Sequence, residues 1–209
     1  MPANYDTIAP VYDFISRMVF GNAIVNAQVS LLKCLPVGDY RLLIVGGGTG
    51  RILEDLAKQR PNGVTVDFVE ASNEMIQLAR KRNCGGNSVN FIHCPIENFK
   101  TPFSYQAILT PFVLDNFEEE KAKQVFNQLD KLLAKDGVWL YADFVYDKTN
   151  SPMWQKGLLK LMYFFFRLTT KIEANRLVNI DTYFENGYSK KMEARFYFDF
   201  IKAIAYRTL

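Results

Sequence analysis

One histidine and three cysteines are all that 209 residues offer to soft metal chemistry, and Cys34, Cys84 and Cys94 form no Cys-x-x-Cys pair. With an odd cysteine count and a lone histidine, neither a zinc site nor a disulfide framework is expected, which points to a reducing compartment and the cytoplasm. The N-terminus lacks the basic start and apolar core of a signal peptide, and no apolar run approaches the length of a membrane span. Charge of one sign is not in surplus either. The formal net charge is +3, which gives no general electrostatic case for a nucleic-acid partner. Internal repeats and low-complexity tracts are also missing.

The chain does have apolar and aromatic bulk, 49% and 14% of its residues, enough for a substantial core in one domain. Strand-like runs near 41–46, 64–70, 88–93, 105–110 and 137–144 alternate with helical patterns, the order of a doubly wound parallel α/β sheet. The clearest helix spans 117–135. It puts Ala122, Val125, Phe126, Leu129, Leu132 and Leu133 on one face, with Asn116 placed to cap it. Ser151-Pro152 opens a long helix reaching about residue 170, and strands near 188–196 and 200–207 follow a short helix that ends at Gly187.

The run Leu42-Leu43-Ile44-Val45 breaks directly into Gly46-Gly47-Gly48-Thr49-Gly50-Arg51 and then into a helical pattern. Glycines at the end of a buried strand permit positive φ and leave no side chain between backbone and ligand, while the next helix points free N–H groups back at it. Arg51 stands where the dinucleotide fingerprint Gly-x-Gly-x-x-Gly needs glycine, which opposes a nicotinamide-dependent oxidoreductase, and no Walker Gly-Lys-Ser/Thr is present. What remains is Gly-x-Gly-x-Gly at 46, 48 and 50, with Glu70 ending the second strand about twenty residues on. An acid there is placed to accept hydrogen bonds from both hydroxyls of an unphosphorylated ribose.

At these residues the chain resembles the class I S-adenosylmethionine-dependent methyltransferases. Four ordered segments carry the resemblance: the glycine loop, Val69 to Ala79 with its Ser-x-x-Met, Tyr105 to Thr110 with Leu114, and Leu132 to Leu140. Tyr5-Asp6-x-Ile8-Ala9-Pro10-x-Tyr12-Asp13 is similar to the N-terminal lid of quinone-biosynthesis and related small-molecule methyltransferases, so the match covers most of residues 4 to 145. The resemblance implies a Rossmann-like sheet of seven strands, mostly parallel with an antiparallel last strand and helices on both faces. Its expected division is a helical lid (1–30), a cofactor-binding core (41–145) and a closing long helix and hairpin (150–209), all one domain.

It further implies S-adenosylmethionine as cofactor, S-adenosylhomocysteine as product, and a small, hydrophobic or aromatic acceptor. Gly46, Gly47, Gly48, Gly50 and Glu70 would hold the cofactor, with Ala71 and Met75 flanking the adenosine, Cys94, Pro95 and Ile96 on the adenine side, and Thr110 and Tyr12 near the methionine portion. Tyr5 and Tyr12 either close over the ligands or staple the N-terminal helix to the core. Phe112, Asp115, Phe144 and Tyr146 follow the fourth and fifth strands, on the sheet edge where acceptors bind, and Asp143 is the candidate to receive an acceptor proton. His93 is placed on the adenine side, where a structural role is expected. Base methylation is disfavoured, since neither an Asn/Asp-Pro-Pro-Tyr run nor a Pro-Cys nucleophile occurs.

Three positions depart from the family pattern: Ile44, Cys94 and Gln106 stand where acidic or amide side chains are usual. They keep open a second reading, an inactive cofactor-binding or interaction protein on the same scaffold. In the long helix, Lys156, Lys160, Arg167 and Lys171 fall in one sector, with Trp154, Leu158, Leu161 and Phe165 expected opposite. Such a stripe is either a solvated face or a peripheral membrane contact through 153–171.

Overall fold

In the computed structural model, which describes Asp6 and residues 9–146, 151–170 and 177–209 (backbone only over 164–170), two helices, α1 (Ala9–Phe20) and α2 (Ala23–Leu32), precede the sheet. Next come β1 (Tyr40–Val45), α3 (Arg51–Gln59), β2 (Val64–Glu70), α4 (Asn73–Ala79), β3 (Ser88–His93) and β4 (Tyr105–Pro111). They are followed by α5 (Glu119–Asp130), β5 (Leu133–Phe144), α6 (Met153–Thr170), α7 (Asp181–Phe184), β6 (Tyr188–Phe196) and β7 (Ile201–Thr208).

All seven strands join one sheet in the order β3-β2-β1-β4-β5-β7-β6. The first five pair in parallel, and β7 alone runs against both of its neighbours, β5 and β6. This is the expected seven-stranded, doubly wound α/β arrangement. It follows from alternation along strands that are apolar on both faces. Leu42 and Ile44 of β1 pack toward α2 and α3, together with Leu31, Ile52, Leu53 and Leu56. Leu43 and Val45 pack the other way, in a cluster with Val125, Phe126 and Leu129 of α5 and Phe184 of α7. Trp139 and Phe184 are fully buried there, their rings in edge contact at 5.1 Å.

Two boundaries differ from the sequence expectation. Helix α5 ends at Asp130 instead of 135, because Tyr105 N–H donates to Leu132 O at 2.8 Å and Leu133 already pairs with Tyr105. Sheet pairing therefore wins over a helical period that continues through Leu132 and Leu133. Asn116 does not cap α5. It lies in a short 3₁₀ turn and donates from Nδ2 to Phe112 O at 3.1 Å, leaving Glu118 as the capping position. Among the described residues, no helix is long and apolar enough to cross a membrane, and no cluster of histidine, cysteine or acid side chains could hold a metal.

Candidate functional site

The carboxyl ends of β1, β2 and β4 meet at one edge of the sheet, where strand order reverses from β1 to its two neighbours. Beyond Val45 the chain turns through Gly46, Gly48 and Gly50, all at positive φ (63°, 57° and 74°), so the alternation in sequence is an alternation of left-handed backbone. Intervening Gly47 is required by close approach, since a Cβ there would lie 2.2 Å from the Phe68 ring. At Gly48, by contrast, a Cβ would meet nothing within 4 Å and would enter open space.

That space is a cavity of about 390 Å³ over the glycine loop, within the roughly 300–1,000 Å³ usual for small-ligand sites. Glu70, at the end of β2, forms part of its wall and is 7% exposed. Its Oε2 accepts from Gly48 N–H at 3.1 Å and its Oε1 from Ser72 N–H at 3.0 Å, which leaves acceptor lone pairs for a ligand. Burial raises the Glu70 pKa, backbone N–H groups of Ser72, Gly48 and Ala71 oppose the rise, and Asp6 adds to it. Ser72 caps α4 by accepting from Met75 N–H and donates its own hydroxyl to Asp6.

Helix α1 lies across the mouth. Asp13 accepts from Thr49 Oγ1 at 2.8 Å and from Arg82 Nη2 at 2.8 Å, while Arg82 Nε donates to Thr49 O. The helix is thus tied to the glycine loop, and Tyr12, Phe14 and Arg17 join the cavity wall. Burial, with Asp115, Asp13 and Glu70 nearby, pushes the Tyr12 phenol above its ordinary range and keeps it a neutral donor. Opposite, Phe112 holds a left-handed backbone (φ 57°), fixed by its N–H to Ala142 O and its own O to Asn116. Such a conformation is uncommon for a bulky residue and costs roughly 1–3 kcal/mol. It places the Phe112 ring 5.0 Å from Phe144, on the cavity wall.

The family model described as "Methyltransferase domain" matches residues 42–137. Over 171 residues the chain is 26% identical to the "Ubiquinone/menaquinone biosynthesis C-methyltransferase UbiE" of Geotalea uraniireducens, covering 78% of this chain and 68% of that protein. It is 27% identical over 105 residues to "Malonyl-[acyl-carrier protein] O-methyltransferase 2" of Ilyobacter polytropus, covering 50% and 39%. Among solved structures, magnesium protoporphyrin IX methyltransferase from Synechocystis PCC 6803, with bound SAH, superposes with a TM-score of 0.63 at 16% identity, over 89% of this chain and 82% of that one. Residues 42–137 thus match a methyltransferase domain, and the chain is similar to methyltransferases over most of its length.

Of the residues singled out from the methyltransferase sequence, Tyr12, Gly46, Gly47, Gly48, Glu70, Ala71, Met75, Cys94, Pro95, Ile96 and Phe112 line the cavity. Others do not. Gly50 packs away from it, its absent Cβ 2.6 Å from Ala79 Cβ, and Thr110 is fully buried with Oγ1 accepting from the Trp139 indole. Phe144 supports Phe112 from behind, and Tyr146 is also outside the lining. Tyr5 lies outside the described residues. Asp143, expected to take an acceptor proton, is likewise set back: Oδ1 accepts from Phe144 N–H and Oδ2 from the Tyr141 hydroxyl, with the side chain 1% exposed. It pairs with Asp115, whose Oδ1 is buried without a partner. Burial raises both pKa values, Asp115 to about 6 and Asp143 well above the ordinary carboxylate range, where Asp115 adds repulsion. One shared proton is the arrangement the geometry favours.

Ile44, a departure from the family, is wholly buried in the core, and Gln106 accepts from Arg41 N–H through Oε1 at 2.9 Å. His93 is exposed, with Nε2 at 3.1 Å from Ala71 O, consistent with a structural contact at the β2–α4 junction. Wall residues that sequence reading missed include Asp13, Asn22, Val113, Phe117 and Lys121. Only Asp13 carried a signal, as part of the lid-like N-terminal motif.

Proposed function

We propose that this enzyme methylates a small hydrophobic or aromatic acceptor in the cavity between the glycine loop and the β4 edge. One observation carries the reading: a single cavity joins the polar end, at Glu70 and the loop N–H groups, to a wall of Phe112, Val113 and Phe117. Glu70 would accept the ribose hydroxyls, Ala71 and Met75 would flank the adenosine, and Cys94, Pro95 and Ile96 would face the base. The bound cofactor supplies a methyl carried on a sulfonium, so transfer is an in-line displacement in which the S–C pair returns to sulfur. The chain's own part is to orient the acceptor, exclude water and take no covalent share. Tyr12 and the tethered α1 would cover the mouth.

The acceptor proton would leave to solvent at the mouth, since Asp143 is outside the wall. A cytoplasmic setting is consistent with three free cysteines, and the modest net charge favours a small molecule over nucleic acid. Incubation with methyl-labelled S-adenosylmethionine and hydroxylated aromatic probes, with label followed into the organic phase, tests the proposal. Label remaining wholly in the cofactor across those probes would contradict it. A second reading, binding without turnover, is favoured by Cys94, whose thiol is raised in pKa by burial and is a weak hydrogen-bond partner in the cavity wall. Tight S-adenosylhomocysteine binding with no labelled product from any acceptor pool would select it.

A further inference from the structure

Apolar side chains lie on the outside of the molecule where α1, α6 and the β6–β7 turn meet. Phe14 and Met18 of α1 are 66% and 72% exposed, one helical turn apart. Phe198, in the turn, is 79% exposed. On α6, Met153, Trp154 and Leu161 also face solvent, so the stripe opposite the lysines is not all core face. The inward face of α6 is instead Gln155, Leu158, Leu159 and Met162, the last three packed on the core. Phe165 and Arg167 have no described side chains, and Lys171 lies outside the described residues.

These side chains form one surface. Tyr197 donates its hydroxyl to Val19 O at 2.7 Å, stitching the turn to α1, and Trp154 makes edge contacts with Tyr197 (5.9 Å) and Phe198 (5.8 Å). Buried Gln155 donates to Phe198 O at 2.8 Å. Tyr197, Phe198 and Asp199 all hold left-handed φ (52°, 54°, 64°), a strained turn that presents Phe198 outward. Exposed Lys156, Lys160 and Arg17 flank the apolar area, with Asp199 as the opposing charge on the turn.

We infer that this face docks on an anionic lipid bilayer, with α1, α6 and the β6–β7 turn inserting apolar side chains between headgroups that their cations engage. Apolar side chains bordered by lysines on in-plane helices are what such a surface selects. A second copy, docking through the same patch about a two-fold axis, would bring the lysines of both copies together. Phe14 and Arg17 belong both to this face and to the cavity wall, so the bound orientation points the mouth at the bilayer. The inference goes beyond methyl transfer and needs no turnover to be tested.

Trp154 is a built-in reporter, since the other tryptophan, Trp139, is fully buried. With phosphatidylcholine vesicles containing phosphatidylglycerol, the protein should co-sediment, its emission should shift to the blue, and brominated lipid should quench it. Trp154→Phe should abolish the quenching while still co-sedimenting. Lys156→Glu with Lys160→Glu should lower the bound fraction roughly ten-fold or more. Met18→Ser with Phe198→Ser should do the same for every vesicle composition. Unchanged S-adenosylhomocysteine binding verifies that these variants are folded, because none of the four positions lines the cavity. Absence of co-sedimentation and of quenching overturns the inference, as does a lipid-free dimer in light scattering that shields Trp154. A wild-type protein that binds vesicles but not S-adenosylhomocysteine would count against the methyltransferase reading alone.

Discussion

Glu70 Oε2 accepts the N–H of Gly48 at 3.1 Å, so the acid ending β2 and the middle of the glycine loop are one unit before any ligand arrives. Replacing the carboxylate removes the strongest acceptor in the polar end of the cavity. Glu70→Ala should weaken S-adenosylhomocysteine binding by about 1–3 kcal/mol, roughly 5- to 150-fold, by titration calorimetry. A ligand that donates to the carboxylate favours its ionised form, and the Glu70 pKa is raised, so wild-type affinity should fall as pH drops through that raised value. In Glu70→Gln this pH dependence should vanish.

The loop glycines separate stability from binding. Gly50→Ala puts a methyl 2.7 Å from the Ala79 backbone at positive φ and should cost about 1–3 kcal/mol, read as a lower Tm at roughly 2–4 °C per kcal/mol. Gly48→Ala also carries the φ penalty but meets no protein atom, so its Tm should fall less while ligand affinity falls more. Equal losses in both assays for both variants would contradict the placement of the cavity over Gly48.

Asp115 and Asp143 give a pH signature. Both folded pKa values exceed the ordinary carboxylate value, so the folded state holds extra protons, and their favourable contribution is complete below about pH 4 and is lost as pH rises, through about 6 for Asp115 and through the raised value of Asp143. Asp143→Asn keeps a donor toward Asp115 without a second charge. The Tm of the variant, relative to wild type, should therefore climb between about pH 5 and about pH 8. A difference that stays flat would exclude the shared proton.

The tether of α1 depends on Asp13, which is itself partly exposed. Asp13→Ala should raise the S-adenosylhomocysteine dissociation constant by a modest factor, about 3- to 10-fold, after allowance for solvent screening. Limited proteolysis within α1 should speed up at the same time, while the core Tm changes little.

Much of the sheet could be read from sequence, because central strands such as β2 are apolar on both faces and edge strand β3 alternates polar and apolar residues: 64–70 and 88–93 agree residue for residue with β2 and β3. Periodicity failed where two patterns overlap. Leu132 and Leu133 satisfy a helical stripe and a strand equally, and only the distant Tyr105 decides between them. The glycine loop and Glu70 were legible because backbone geometry demanded those residue types locally. Phe117 and Lys121 were not legible as wall residues, since nothing local marks a side chain whose role is set by how the β4–α5 segment folds over the edge, whereas Asp13 was marked only by the lid-like motif that contains it. Asp143 misled for the opposite reason: its position at a strand end is right for chemistry, but it is buried outside the cavity wall, held by Tyr141 and Phe144.

The placement of β7 between β5 and β6 sets an order of assembly. Residues 201–208 are last among the strands to be synthesised, yet they form the seam through which 188–196 joins the rest. Until they emerge, β5 is an open edge with unpaired backbone groups and β6 has no neighbour to pair with. A nascent chain paused near residue 200 thus exposes unpaired strand edges, and arrival of residues 201–208 closes the seam between β5 and β6.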